Sequence, residues 1–335
     1  MNSDHNSWLG HGGHHSWLGH GGHNSWLGHG AHSHDHADSV DDALRNSDAG
    51  IRAVKISLAV LGVTAVAQLV IVALSGSVAL FADTVHNFSD ALTAVPLWIA
   101  FSMSRRAATR RYTYGFGRVE DLAGLFVVAV IAISAVVAAV EAVRRLIDPV
   151  PLTHLGWVAA AGVVGFVGNE MVAVYRIRVG NHIGSAALRA DGMHARADGL
   201  TSLAVVAGAV GAALGFPVAD PIVGLLIAGA IAVVLCYAAR DVFGRLLDRV
   251  DPDLVDSAVT VLADRPGVRA VRRVRMRWVG HQLEADVELD IDPSLSLADA
   301  HTIAHGAEHE LAHAIPKVSS VIVHAYPAHD SVLSS

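Results

Sequence analysis

Between residues 51 and 240 the chain alternates long apolar stretches with short charged punctuation. Six stretches, near 51–75, 78–103, 119–146, 154–177, 183–214 and 219–239, reach the roughly 20 residues that a helix needs to cross about 30 Å of hydrocarbon. The first, third and sixth contain uninterrupted uncharged runs, Ile56–Ala82, Leu122–Val140 and Pro221–Ala239. The second and fifth reach span length only by carrying Asp83, His86 and Asp90, and Asp191, His194 and Asp198, within them. After Gly244 the pattern becomes that of a small soluble unit. Helical periodicity at 255–263 and 297–314 and strand patterning at 271–279, 282–291 and 318–326 predict an αββαβ order. From Leu283 to Ile291 apolar residues alternate with Glu284, Asp286, Glu288 and Asp290, a half-buried face of period two. Arg273, Arg275 and Arg277 on the preceding strand would meet these acids across the ladder. The expected fold is therefore an α-helical membrane domain of six spans (51–244) followed by a small C-terminal α+β domain (245–328) and a short tail (329–335).

Composition agrees with a bilayer as second solvent, since 53% of residues are apolar and only 16% charged, against about a quarter charged in soluble domains. Cys236 is the only cysteine, so disulfide frameworks and thiolate metal sites within one chain are excluded, and any metal must be held by His, Asp or Glu. The net charge of −7 is spread over basic loops and an acidic C-terminal part and points to no nucleic-acid partner. Residues 1–50 hold ten of the 21 histidines and contain a nine-residue repeat, Asn6–His14, His15–His23 and Asn24–His32. They lack both an apolar core and a basic signal-peptide start, and read as a flexible tail.

Lys and Arg mark the cytoplasmic side. Arg45, Arg52, Lys55, Arg105, Arg106, Arg110, Arg111, Arg118, Arg176, Arg178 and Arg189 fall on one side of a six-span arrangement, and Arg144 and Arg145 on the other. Both termini are thus expected in the cytoplasm of a cell that carries the protein in its inner or plasma membrane.

The two Asp-x-x-His-x-x-x-Asp patterns carry the chemistry. Positions i, i+3 and i+7 share one helix face, and ionisable groups buried in hydrocarbon are costly unless paired or functional. The bland alternative is two helices whose polar groups only hydrogen-bond each other. The same spacing in two antiparallel helices, matched depths for His86 and His194, and small neighbours (Gly192, Ala195, Ala197, Gly199) that permit close approach favour a shared metal site. His86, Asp90, His194 and Asp198 supply two imidazoles and two carboxylates, a donor set suited to tetrahedral Zn²⁺ and tolerated by Cd²⁺, Co²⁺, Fe²⁺ or Ni²⁺. Asp83 and Asp191 sit one turn earlier, placed to orient imidazoles or relay protons. Because protonated ligands release metal, a mid-membrane site of this kind points to exchange of metal for H⁺ by alternating access.

These motifs, with Tyr112–Glu120 (Tyr-Thr-Tyr-Gly-Phe-Gly-Arg-Val-Glu) and Ala219–Gly224 (Ala-Asp-Pro-Ile-Val-Gly), resemble the cation diffusion facilitator family, zinc-transporting branch, over about Ile51 to Tyr326. The resemblance implies a homodimer of six-helix protomers in the lipid bilayer, each with a ferredoxin-like, metallochaperone-like cytoplasmic domain, exporting Zn²⁺ against protons. It carries the transport ligands over to His86, Asp90, His194 and Asp198. It also implies a charge lock between Arg118 and Asp248, and cytoplasmic metal sites for which Asp286, His301 and His324 are the nearest matches. The His-rich loop of some relatives is absent between the fourth and fifth spans, which offers only His182; the tail histidines could instead collect Zn²⁺ weakly.

One motif competes. His309-Glu310-Leu311-Ala312-His313 spells the zincin pattern and, alone, would indicate a membrane-anchored metalloprotease or metal sensor. Pro316 cuts the helix short, and His301, His305, His309 and His313 form an i, i+4 stripe that reads as a solvated face or regulatory metal patch.

Overall fold

The computed structural model describes residues 34–75, 94–147, 155–216 and 219–328. Helices α1 (His34–Ser75), α2 (Ala94–Ser104), α3 (Arg118–Ile147), α4 (Leu155–Ile183), α5 (Ala186–Ala213) and α6 (Ala219–Leu246) build a bundle. Helix α7 (Pro252–Ala263), strands β1 (Val268–Val279) and β2 (Gln282–Ile291), helix α8 (Leu297–Ala314) and strand β3 (Val318–Pro327) build a second unit. Among the described residues, four helices (α1, α3, α4 and α6) are long and apolar enough to cross a membrane. Their outward faces leave Val63, Ile133, Met171 and Leu226 exposed, the reverse of a soluble bundle and the arrangement expected where lipid is the outer solvent. Helix α5 is as long but turns polar residues inward. The second predicted span is described only at its end, α2, so Asp83, His86 and Asp90 lie outside the described residues.

The bundle packs through missing side chains. A Cβ on Gly162 of α4 would lie 2.9 Å from the Ser202 carbonyl oxygen and 2.7 Å from Val206 Cγ2 on α5. One on Gly192 of α5 would lie 2.8 Å from Ile177 Cγ1 and 3.0 Å from the Ile177 backbone nitrogen on α4. The two helices therefore approach backbone to backbone, as small-residue interfaces in membranes do. Gly199, also read as an approach point, has only ordinary contact with Asn169 at 3.4 Å.

The boundary read at Gly50 falls inside a helix, because α1 already runs from His34. Local contacts account for this: Ser47 is buried, and Gly50 sits so close to the Phe101 ring that a Cβ would come within 2.7 Å. In the second unit α7 begins at Pro252, three residues before the predicted start, because Asp251 accepts a hydrogen bond from Asp253 N and Pro252 occupies the first turn. The sheet order is β1-β2-β3, with β1 antiparallel and β3 parallel to β2. Leu283, Ala285, Val287 and Leu289 turn inward against Ala307 and Leu311 of α8 and Leu262 of α7. On the other face Arg277 pairs with Glu284 at 2.9 Å, Arg272 with Asp290 at 2.6 Å and Arg273 with Glu288, while Arg275 stands opposite Asp286 in the ladder. These half-exposed pairs set register more than they add stability.

Substituting Gly162→Ala drives a methyl group into a backbone carbonyl that cannot rotate away. It should destabilise the bundle by about 1–3 kcal/mol, seen as a lowered unfolding midpoint of the detergent-purified chain, whereas Gly156→Ala, at a position with open space around it, should not.

Candidate metal centre

The described half of the site is positioned by a tight helix–turn–helix. Helix α4 ends at Ile183; Gly184 follows with φ of +81°, and Ser185 N donates back to Gly180 O at 2.9 Å. This closes the helix in the left-handed manner that glycine permits. Ser185 is also the N-cap of α5, its hydroxyl accepting from Leu188 N at 3.0 Å. With the start of α5 set at Ala186, His194 lies in its third turn, about 12 Å along the axis. The depth inferred from a span beginning at 183 was about one turn greater.

Asp191, His194 and Asp198 are 0%, 1% and 9% exposed, so the polar face of α5 is fully enclosed. His194 Nδ1 lies 3.7 Å from Asp198 Oδ1, one turn away along the helix. Asp191 is engaged differently from the sequence expectation of orienting an imidazole: its Oδ2 lies 2.9 Å from Arg176 Nη1, with Arg176 itself only 1% exposed. Arg176, counted among the charges of the cytoplasmic side, is enclosed within the bundle. The pair sits at ion-pair distance, yet among the described residues neither Asp191 oxygen, nor Arg176 Nε or Nη2, has an aligned hydrogen bond. Arg176 thus sets a counter-charge against Asp191, and His194 and Asp198, one imidazole and one carboxylate, complete the enclosed polar face. Among the described residues no three His, Cys, Asp or Glu side chains gather into a complete cage.

The β1–β2 turn enters the bundle at the end where α3 and α5 begin. Gly280 N donates to Asp121 Oδ2 at 3.3 Å, and Arg245 Nη1 donates to Gly280 O at 3.2 Å with its guanidinium 4.2 Å from the Trp278 ring centre. His281 Nδ1 lies 2.7 Å from Glu120 Oε2, both residues buried, while its Nε2 lies 3.2 Å from Ala43 O and 3.4 Å from the Ser47 hydroxyl. Burial works against a charged ring, but the Glu120 carboxylate and the two hydrogen bonds outweigh it and hold the His281 pKa above 6.5. Arg118 Nη2 reaches Asp248 Oδ1 at 3.1 Å, the geometry expected of the charge lock, and Arg118 is also 3.5 Å from Asp121. The Arg118–Asp248 pair is about half exposed, which limits its worth to about 0–1 kcal/mol. The buried Glu120–His281 contact, which sequence reading passed over, joins the two units more firmly. Its signal was two consecutive acids, Glu120 and Asp121, opening an otherwise apolar run.

The cation efflux transmembrane domain family matches residues 54–247, and the cytoplasmic domain family of cation efflux proteins matches 250–328. This chain belongs to the cation efflux (cation diffusion facilitator) family. It is 69% identical over 296 residues to the Probable cation efflux system protein Rv2025c of Mycobacterium tuberculosis, covering 88% of this chain and 89% of that protein. It is 28% identical over 256 residues to Magnetosome protein MamB of Paramagnetospirillum magneticum (76% and 86% covered). With the Manganese efflux system protein MneP of Bacillus subtilis it shares 25% identity over 259 residues (75% and 87% covered). The cation efflux protein described here is accordingly a multi-pass membrane protein for divalent metal efflux, a transporter and not an enzyme.

In this cation efflux protein the three cytoplasmic candidates do not meet within one chain. Asp286 and His324 lie on the outer face of the sheet, where His324 stands opposite Glu288 and its ring is 4.4 Å from that of Tyr326. His301 is on α8, which packs against the inner face, with its ring 6.0 Å from His305. The zincin pattern loses its base, since Glu310 is held by Arg265; His309 and His313 stack edge to face with ring centres 4.4 Å apart. The metalloprotease reading has no support in this arrangement.

Two outcomes follow. Arg176→Met alone strands a buried carboxylate and should cost about 3–5 kcal/mol, while Arg176→Met with Asp191→Leu should restore most of the loss, read by denaturant unfolding in detergent. For His281, a folded pKa above the unfolded value means its contribution is full below about pH 6.5 and fades as pH rises through the folded value. Amide exchange at Gly280 and His281 should quicken more, as pH is raised above about 6.5, than base catalysis alone requires, and His281→Gln should flatten that excess.

Proposed function

We propose that this cation efflux protein exports Zn²⁺ in exchange for protons, through six spans with both termini in the cytoplasm and as a homodimer. The observation that carries the reading is the enclosed His194–Asp198 pair beside a neutralised Asp191. One imidazole and one carboxylate make half of a neutral two-histidine, two-carboxylate site, and His86 and Asp90 supply the same types in the same order in the companion motif. Asp83, His86 and Asp90 lie outside the described residues, so the joining of the two halves rests on the repeated spacing. Imidazole donors favour Zn²⁺ over Mn²⁺, and would also accept Cd²⁺ or Co²⁺.

Proton coupling comes from the ligands themselves. A neutral imidazole and an ionised carboxylate bind metal, and the same groups protonated do not, so metal and H⁺ compete for one set of atoms. Protons arriving from outside displace the ion there, and their loss to the cytoplasm readies the site for the next ion.

Proteoliposomes loaded with a zinc-sensing dye provide the test. An imposed pH gradient should accelerate Zn²⁺ uptake by the wild-type chain, and Asp198→Ala should abolish uptake while keeping its unfolding midpoint. Uptake indifferent to the gradient would sink proton exchange; Mn²⁺ outcompeting Zn²⁺ would sink the zinc assignment.

A further inference from the structure

A second polar feature lies away from the metal centre, where the cytoplasmic unit meets the bundle. A cavity of about 470 Å³ opens between the α4–α5 turn at Gly184, Arg189 of α5, Asp241 and Arg245 of α6, the linker Arg249–Leu254, Trp278 of β1 and Lys317 before β3. Its volume falls in the range of small-ligand sites. Four cationic side chains line it, Arg189, Arg245, Arg249 and Lys317, against two carboxylates, Asp241 and Asp251.

Both carboxylates are already committed. Asp241 is held by Arg189 and lies 3.6 Å from Arg249, and Asp251 caps α7 through Asp253 N at 3.2 Å. Arg245 is 7% exposed and pinned between the Gly280 carbonyl and the Trp278 ring, so its charge cannot swing out to water. Lys317 is the least comfortable member. It sits in the left-handed backbone region with φ of +70°, its Nζ donates to Asn181 O at 3.3 Å, and burial followed by repulsion from Arg245 and Arg189 pushes its pKa below that of an ordinary lysine. The concave wall built by both units carries more positive than negative charge, with Arg245 partly offset by Glu120 and Asp121 outside the lining.

We propose that this cavity binds a phosphate group, supplied either by an anionic lipid headgroup or by a soluble phosphate compound, and that the bound anion ties the cytoplasmic unit to the helix bundle. Forked guanidinium donors and an ammonium point charge are the usual recognition set for phosphate oxygens. The wall includes the turn after α4 and the last turns of α6, both helices long and apolar enough to cross a membrane, which puts the cavity within headgroup reach. The proposal is independent of which metal the protein carries.

The test uses the full chain in phosphatidylcholine nanodiscs in a phosphate-free buffer. One arm titrates inorganic phosphate against chloride at matched ionic strength; the other exchanges phosphatidylglycerol for part of the phosphatidylcholine. A rise in unfolding midpoint in the first arm identifies a soluble source, and a rise in the second a lipid source. In the arm that responds, Lys317→Gln and Arg249→Gln should each weaken the response about tenfold in anion concentration, the value of one charged hydrogen bond. Arg249, being half exposed, tolerates substitution even where Lys317→Gln would not fold. No rise in either arm, or a rise that the folded variants leave unchanged, overturns the proposal.

Discussion

A charge inside an apolar bundle must find its counter-charge within the bundle, and this constraint organises the rest of the structure. Arg176 and Asp191 meet it by facing each other across α4 and α5. At the pair itself Gly192 lets the two backbones come together, since a Cβ there would lie 3.0 Å from Arg176 Cβ. Small residues, close helices and a buried ion pair are therefore one device. Its effect is to set one charge of the polar face of α5 against a counter-charge on α4, beside the His194–Asp198 pair. The same rule acts at the cytoplasmic end, where Glu120 receives His281 and Asp121 receives the Gly280 amide from a turn of the other unit.

Most of the soluble unit was legible from pattern alone. The β2 and α8 limits were read as they stand, since Leu283–Ile291 alternates cleanly and Ser296 caps the helix through Asp299. The starts of α7 and β1 were missed by three residues, where Asp251–Pro252 capping and the irregular register after Val268 extend each element beyond its apolar pattern. In the bundle, hydropathy located the long apolar helices, but it carried no information about which charges face inward. Arg176 shows why: a lone arginine near the end of an apolar run looks the same whether it reaches solvent or a buried aspartate one helix away. The start of α1 was hidden for a similar reason, because its first turns, from His34, are polar and carry no apolar periodicity of their own.

The expected Arg118–Asp248 lock and the unexpected Glu120–His281 contact are adjacent, yet differ in energetic weight. Solvent screens the first, and burial amplifies the second. The Gly280 turn adds geometric stringency, since its φ of +61° and a would-be Cβ only 2.8 Å from Gly117 O leave room for no other residue. The hairpin thus reads the position of the first turn of α3 through close contact as well as charge.

The turn at Gly184 and Ser185 has a mechanical consequence. With one glycine closing α4, the next residue capping α5 and the helices in backbone contact above, the hairpin has no slack in which either helix can slide or rotate alone. His194 and Asp198 are mounted on a stiff two-legged strut. Any step that turns them toward one side of the membrane and then the other must carry the strut as a single body, with the sliding surfaces located against α1, α3 and α6.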